Sequence, residues 1–230
     1  MTTLTTGLRR LGVVTLVVAV VASGGGAAAQ TNGQPTEALV VDLAEDGDAE
    51  VTLRLTFDLA TDSERQAFET LQANQTKMNE MRDSFADRLA GVATATGSET
   101  GRQMEITNAT ATVRTESDTG VIELSVTWLN LAAVDGEQVT LAEPFASDYS
   151  PDRQFVVTAP DGYQLSATPT PDADGDGTLR WSANTSLDGL EVTASPTESS
   201  GTTAAGQPGF TAVGAVVGLV GVGLLARRKK

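Results

Sequence analysis

The carboxyl end of the chain carries an uncharged apolar run followed directly by four basic residues. The run covers the 17 residues from Phe210 to Ala226, and the Arg-Arg-Lys-Lys cluster 227–230 comes next. At about 1.5 Å per residue, a helix of this length spans roughly 25 Å, which is the short end for a membrane helix. Because basic clusters stay on the cytoplasmic side, the sequence predicts a transmembrane helix over 210–226 with the preceding chain outside the cell.

The residues before this run form an ordered motif. A Thr/Ser-rich tail over 195–207 leads into Pro208, Gly209 and Phe210. This order of polar tail, Pro-Gly-Phe, short helix and basic cluster resembles the PGF-CTERM sorting signal of haloarchaeal surface proteins. In that family an archaeosortase removes the helix and joins the new carboxyl terminus to a membrane lipid. The resemblance implies that the tripeptide is the recognition element, with an archaeosortase and the membrane as partners. The alternative is an ordinary membrane helix that is never cut.

The amino end has the pattern of a secretory signal over residues 1–29. Arg9 and Arg10 precede an apolar run of about 12 residues, which is too short to span a bilayer comfortably. Small residues then end in an Ala-Ala-Ala site at Ala29, which predicts cleavage by signal peptidase and a mature start near Gln30. An uncleaved anchor is the alternative, and both the general-secretion and the twin-arginine routes stay open.

The segment between the two ends is strongly acidic. All thirty acidic residues lie between Glu37 and Glu198, whereas only nine basic residues lie between 31 and 206. Such a field repels phosphate, which excludes nucleic acid as a natural partner. The chain has no Cys and no His. This composition excludes thiol nucleophiles, Ser-His-acid triads, His/Cys zinc sites and His- or Cys-ligated haem.

The excess of acidic residues also predicts the salt concentration in which the domain is stable. Repulsion among so many carboxylates destabilises a folded domain in dilute buffer, but molar salt shortens the Debye length to about 3 Å and nearly removes it. An acidic ectodomain of this kind therefore suits a hypersaline exterior. An acidic disordered segment is the competing explanation, and the periodic apolar patterns of the middle segment argue against it.

A strand followed by a helix opens the folded segment. Residues 50–59 alternate between apolar and polar side chains, which predicts a half-buried strand. Thr61 to Glu64 then reads as a capping box that starts a helix. One long helix with a single apolar stripe is expected, ending before Gly97. The stripe consists of Phe68, Leu71, Met78, Met81, Phe85, Leu89 and Val92.

The remaining pattern is that of strands. Segments 104–115 and 121–131 flank a polar turn and predict a hairpin, with a bulge between Ile106 and Ala109 where the apolar phase slips. Further strands are expected at 137–142, 154–159, 162–168, 178–183 and 189–194. These elements predict one α+β domain, a mostly antiparallel, sandwich-like sheet system packed against one long helix. Its arrangement is similar to uncharacterised haloarchaeal ectodomains that precede such anchors.

The domain organisation follows from these patterns. We expect a signal peptide at 1–29, a short segment at 30–36, the acidic ectodomain at 37–194, a linker at 195–207 and the sorting signal at 208–230.

One acidic segment has the spacing of a cation-binding loop. Asp172, Asp174, Asp176 and Gly177 match the first half of an EF-hand loop, in which alternate carboxylates converge on Ca²⁺. The match then fails, because Ala183 stands where a bidentate Glu should complete the ligand shell. The two interpretations are a solvated acidic turn and a weak Ca²⁺ or Na⁺ site at these three aspartates.

Three N-glycosylation sequons occur, at Asn74, Asn108 and Asn184. Asn184 stands in a polar turn and is the best candidate. Asn108 is in a strand arm close to the expected bulge. Asn74 is close to the apolar stripe of the helix and is the weakest candidate.

The sequence indicates where the protein is located more clearly than which reaction or ligand it has. Carboxylate pairs are unavoidable among thirty acidic residues, so they do not predict a glycosidase. We expect no enzyme and no cofactor beyond weakly held Ca²⁺. The leading hypothesis is a surface-anchored protein with a structural role or contacts to cell-envelope components. The alternative is a module that captures a solute or cation for a membrane partner.

Overall fold

The computed structural model describes residues 35–147 and 149–197 of the chain. The predicted signal sequence 1–29 with its cleavage residue Ala29, the processing tripeptide 208–210 and the transmembrane helix 210–226 lie outside the described residues. Within the described residues, no helix has both the length and the apolar character needed to cross a membrane.

Two β-sheets and two helices make up the described part of the chain. In chain order the elements are β1 (Ala38–Leu43), β2 (Ala49–Asp58), α1 (Asp62–Ala73), α2 (Gln75–Thr100), β3 (Glu105–Glu116), β4 (Thr119–Leu129), β5 (Ala133–Asp135), β6 (Gln138–Leu141), β7 (Gln154–Thr158), β8 (Tyr163–Thr168), β9 (Ala173–Gly175), β10 (Thr178–Trp181) and β11 (Glu191–Pro196). The seven-stranded sheet has the order β3-β4-β2-β1-β7-β10-β9, and the four-stranded sheet has the order β5-β6-β11-β8. This mostly β architecture agrees with the predicted α+β class.

Strand β1 lies in the middle of the larger sheet, and no pattern in the sequence predicted it. It pairs antiparallel with β2 on one side and parallel with β7 on the other. The prediction of a mostly antiparallel sheet therefore holds with one parallel exception. Ala38 and Val41 point to opposite faces of β1 and are both fully buried. A strand covered on both faces has no polar alternation, so the periodicity that revealed β2 was absent here.

The predicted hairpin is present, with a tighter turn than expected. Strands β3 and β4 are joined by Ser117 and Asp118 alone, and Ser117 has a positive φ of 54°. The expected bulge is confirmed, because the register of the pairing shifts between Thr107 and Thr110. Asn108 occupies the shifted position with a φ of 51°. The slip in apolar phase thus marks an extra residue in the edge strand.

The helical segment forms two helices, so the prediction of one long helix is wrong. The break falls at Asn74, whose side-chain Oδ1 accepts a hydrogen bond from the backbone N–H of Lys77 at 3.0 Å. Asparagine is among the preferred N-cap residues, because its side chain satisfies a free N–H of the first turn. The apolar stripe runs through the break. Three of its members are buried in the core and four are partly buried and pack against it: Phe68, Met78 and Phe85, and Leu71, Met81, Leu89 and Val92.

The predicted capping box at the start of α1 does not form. Thr61 makes no side-chain capping hydrogen bond to the helix. The Glu64 carboxylate instead accepts a hydrogen bond from the backbone N–H of Asp58 at 2.6 Å, at the end of β2. Both side chains therefore tie the strand-to-helix connection to Asp58, to which the Thr61 hydroxyl also donates at 3.1 Å.

The carboxyl end of α2 also differs from expectation. The helix continues past Gly97 to Thr100, and Gly101 ends it in the left-handed conformation with a φ of 74°. A Cβ atom at Gly97 would lie 2.7 Å from the carbonyl oxygen of Arg102. Glycine is needed here because the chain turns back against the helix, not because the helix stops.

One face of the larger sheet carries the core. Val51, Val41, Val157 and Leu179 pair in one row across β2, β1, β7 and β10, and all are buried. The apolar side chains of both helices and of the four-stranded sheet belong to the same buried cluster. Strand β11 of the smaller sheet extends to Pro196, so the folded domain includes the first residues of the segment predicted as a linker.

Candidate functional site

The predicted cation ligands lie on the hairpin formed by β9 and β10. Asp176 and Gly177 form its two-residue turn with φ values of 51° and 69°, the conformation typical of a type I′ hairpin. Asp172 accepts a hydrogen bond at Oδ2 from the backbone N–H of Ser182 at 2.7 Å, and this bond lowers the pKa of Asp172.

This hairpin does not bring the three predicted carboxylates together. Asp174 lies within β9, where alternate residues of an extended strand are about 7 Å apart. An EF-hand loop instead curls its carboxylates around one point. Among residues 35–147 and 149–197, no group of three or more Asp or Glu side chains is arranged to hold a metal ion.

All three sequon asparagines are exposed on the surface. Asn184 and Asn108 both occupy the left-handed region, with φ values of 64° and 51°. Asn74 was placed near the apolar stripe by the sequence, but it lies at the junction between the two helices. Its Oδ1 caps α2, and its Nδ2, the atom to which a glycan would attach, is not used in that cap.

A groove of about 320 Å³ runs beside α2, between the helix and the larger sheet. Its floor consists of Leu53, Leu55 and Leu124, which are neighbours on β2 and β4. The helix supplies the wall with one face, whose residues are spaced by threes and fours so that they share a side of the helix. The wall residues are Lys77, Glu80, Met81, Ser84, Phe85 and Arg88.

The groove combines an apolar floor with charged ends. Lys77 Nζ lies 3.3 Å from Glu80 Oε2, so this pair is close to neutral as a unit. Arg88 is exposed and makes no salt bridge or side-chain hydrogen bond to any other residue that the structure describes. The groove therefore has a net positive rim in a domain with a large excess of carboxylates.

A second cavity, of about 460 Å³, lies beside the carboxyl end of α2. It is lined by Asp46, Arg102, Gln103, Asn130 and Ala132 to Val134. The Nε and Nη2 atoms of Arg102 are buried without a hydrogen-bond partner in the described part of the chain. Burial lowers the pKa of Arg102, and the charge of Glu143 opposes this effect. Because protein atoms cover both nitrogens, an anion would reach them only after the side chain moves.

The opposite face of the larger sheet carries an ion-pair cluster of Arg54, Glu123 and Arg114. Arg54 Nε donates to Glu123 at 2.8 Å, and Arg114 donates to both oxygens of the same carboxylate. Burial is the largest single influence on the pKa of Glu123 and raises it, but the hydrogen bonds and charges of the two arginines together lower it below its ordinary value. The cluster fastens β2, β3 and β4 side by side.

Replacing Glu123 by glutamine should make the unfolding free energy depend less on pH in the acidic range. A carboxylate with a lowered folded-state pKa stabilises the fold above its unfolded value of 4.5, and this contribution is lost as the pH falls through the folded value. We expect E123Q to cost about 1 kcal/mol of unfolding free energy at pH 7, and this cost should shrink below pH 4.5 and vanish once the pH has fallen through the lowered folded-state pKa of Glu123. Urea unfolding of the wild type and of E123Q at a series of pH values measures this difference in unfolding free energy.

The matched control for this prediction is Glu116→Gln. Glu116 contacts the same arginine, Arg114, at 2.6 Å, but its side chain is 44% exposed against 17% for Glu123. Because solvent weakens exposed ion pairs, E116Q should change stability by less than half as much. Equal effects of the two variants at every pH would contradict the conclusion that the ion pairs of Glu123 stabilise the fold more than that of Glu116.

The sequence did not predict the groove or the second cavity, and no role was predicted for Lys77, Arg88 or Arg102. One signal in the sequence could have indicated the groove. Lys77 and Arg88 are eleven residues apart, which places them on the same face of a helix. The apolar floor contributed by β2 and β4 was not visible in any local pattern.

Two family models match the chain. The model described as Domain of unknown function (DUF7345) matches residues 40–163, and the PGF-CTERM motif matches residues 207–229. No curated protein matches the chain. The second match confirms the C-terminal motif recognised in the sequence, and it indicates an archaeosortase-processed protein that is anchored at the cell surface. The first match covers more than half of the chain and includes both helices and the groove, and the chain therefore belongs to the DUF7345 family.

Proposed function

We propose that this chain is an exported haloarchaeal protein whose acidic domain is held on the outer face of the cell membrane and makes structural contacts with the cell envelope. The PGF-CTERM motif at 207–229 carries this proposal. Signal peptidase cleaves after Ala29, and an archaeosortase recognises Pro208, Gly209 and Phe210 and exchanges the helix for a lipid. The polar residues that follow β11 act as a spacer from the membrane.

The charge distribution supports the extracellular, high-salt part of the proposal. Thirty acidic residues lie in the segment between the two apolar ends, and only one lysine lies among the nine basic residues of 31–206. In molar salt the repulsion between these carboxylates is screened within about 3 Å. A hydrated acidic surface then keeps the domain soluble next to its neighbours.

Glycans at the sequons belong to the same proposal. Asn74, Asn108 and Asn184 are all exposed, and none of the three is part of the core. Glycans at these three positions add to the hydrated layer of a surface or S-layer-associated protein. We assign the domain no catalytic role.

Intact-mass analysis of the membrane fraction tests the anchoring. We expect a wild-type chain that begins at Gln30, lacks the residues after the processing site and carries the added mass of a lipid and of any glycans. Replacing Pro208, Gly209 and Phe210 by alanine should leave the carboxyl-terminal residues in place and remove the lipid mass. A wild-type chain that keeps residues 210–230 would contradict the proposed exchange.

A binding module is the second candidate function, and the groove beside α2 is the observation that favours it. Small-molecule sites are typically apolar clefts with a few placed polar groups, with volumes from about 300 Å³ upward. The groove, at about 320 Å³, is at the lower end of this range. A module of this kind would present a captured solute to a membrane partner.

A further inference from the structure

The floor of the groove between α2 and the larger sheet is apolar. Leu53 and Leu124 face each other across β2 and β4, and Leu55 follows on the same face. Met81 and Phe85 of α2 border them. The three leucines are only 3–5% exposed, so an apolar ligand gains by covering the apolar surface that the groove leaves open, chiefly that of the half-buried Met81, at about 25 cal/mol for each Å² withdrawn from water. The floor therefore favours a ligand with a hydrocarbon part.

The basic residues at the rim set the charge of the ligand. Only nine basic residues lie between 31 and 206, and two of them, Lys77 and Arg88, line this one small groove. They are eleven residues apart on one helical face, so they stand about 16 Å apart along α2. Glu80 is paired with Lys77, which leaves Arg88 as the cation with donors available to a ligand.

Direct contact, not the long-range field, sets this selectivity. In molar salt the field of the excess carboxylates is screened within about 3 Å, so an anion is favoured only where it touches an unpaired guanidinium. Arginine presents a planar set of N–H donors that match a carboxylate in a bidentate geometry. A cationic amphiphile would instead meet Arg88 with a repulsive contact at the same position.

We propose that the groove beside α2 binds a small amphiphile, with its hydrocarbon chain on Leu53, Leu55 and Leu124 and its carboxylate on Arg88. This inference goes beyond the anchoring of the chain and does not depend on carboxyl-terminal processing. The volume of about 320 Å³ limits the ligand to a short chain or to the end of a longer one.

Methyl NMR of methionine in the full chain, reconstituted in nanodiscs of zwitterionic lipid, tests the proposal. Met81 lines the groove, whereas Met104 packs at the far end of α2 near Gly97 and does not. Three probes share one tail and differ in the head group: octanoate, octanol and octylammonium. Octanoate should shift the Met81 signal at the lowest concentration, octylammonium should be the weakest of the three, and the Met104 signal should stay in place.

Arg88→Gln should weaken octanoate binding about tenfold and leave octanol unchanged, because only the charged head group uses the guanidinium. Arg82→Gln is the control on the same helix, since Arg82 pairs with Asp83 at 2.7 Å and does not line the groove. An unshifted Met81, an equal response to all three probes, or an R88Q variant that binds octanoate like the wild type would each overturn the proposal. The Met104 signal reports whether each variant is folded.

Discussion

Replacing Trp181 by alanine is expected to destabilise the domain by about 3–5 kcal/mol, the range observed for removing a large aromatic side chain from a core. Trp181 is fully buried on β10, and its ring centroid lies 5.7 Å from that of Phe155. Phe155 in turn contacts Phe145 and Tyr149, at centroid distances of 5.0 and 6.1 Å. The indole Nε1 donates to the carbonyl oxygen of Pro169 at 3.2 Å. The substitution therefore removes a hydrogen bond and opens a cavity in the aromatic cluster.

Urea unfolding followed by circular dichroism in high salt measures this effect. Val134→Ala is the control, because Val134 is a large apolar side chain that is 46% exposed. Exposed positions of this kind change stability by about 0.5 kcal/mol or less. A W181A variant that unfolds within 1 kcal/mol of the wild type would mean that the core around β10 is loosely packed.

Replacing Gly120 by alanine is expected to cost about 1–3 kcal/mol through overpacking. Gly120 lies in β4, and a Cβ atom there would be 2.6 Å from Cδ2 of the Phe68 ring. Phe68 is only 2% exposed and packs against Phe57 with a centroid distance of 5.6 Å, so its ring has no free space to enter. Through Phe68, α1 packs against the larger sheet.

A double-mutant cycle separates overpacking from other causes. In the Phe68→Ala background the space is free, so adding G120A should cost little, and the two substitutions should be strongly non-additive. Gly175→Ala on β9 is the matched glycine control, because nothing lies within 4 Å of a Cβ built there. If G120A is equally harmful with and without the Phe68 ring, the contact is not the cause.

The sequence predicted those parts of the fold whose evidence is local. The alternation of β2 and the hairpin of β3 and β4 were visible because one face of each strand is polar and the other apolar. The bulge at Asn108 was visible as a slip in that alternation. Strand β1 was not, because Ala38 and Val40 on one face and Val41 and Leu43 on the other are all buried, which leaves little polar alternation. The break at Asn74 was also missed, since the apolar stripe continues on both sides of it.

The candidate site was less predictable than the fold. Asp172, Asp174 and Asp176 have the spacing of a calcium loop, but an extended hairpin holds them apart. The groove has the opposite character, because Leu53, Arg88 and Leu124 share no local pattern and meet only after α2 lies across β2 and β4. Residue spacing predicts a ligand set only where the backbone conformation is also known.

The sequence by itself determined that the chain carries a C-terminal surface-anchoring motif and an acidic middle segment, since both are properties of composition and of short segments. Only the tertiary structure decided which residues meet, including the Phe68 contact with Gly120 and the pairing of β1 with β7. The physical reason is range: periodicity and capping act over a few residues, whereas a core and a groove form when segments far apart in the chain are packed together.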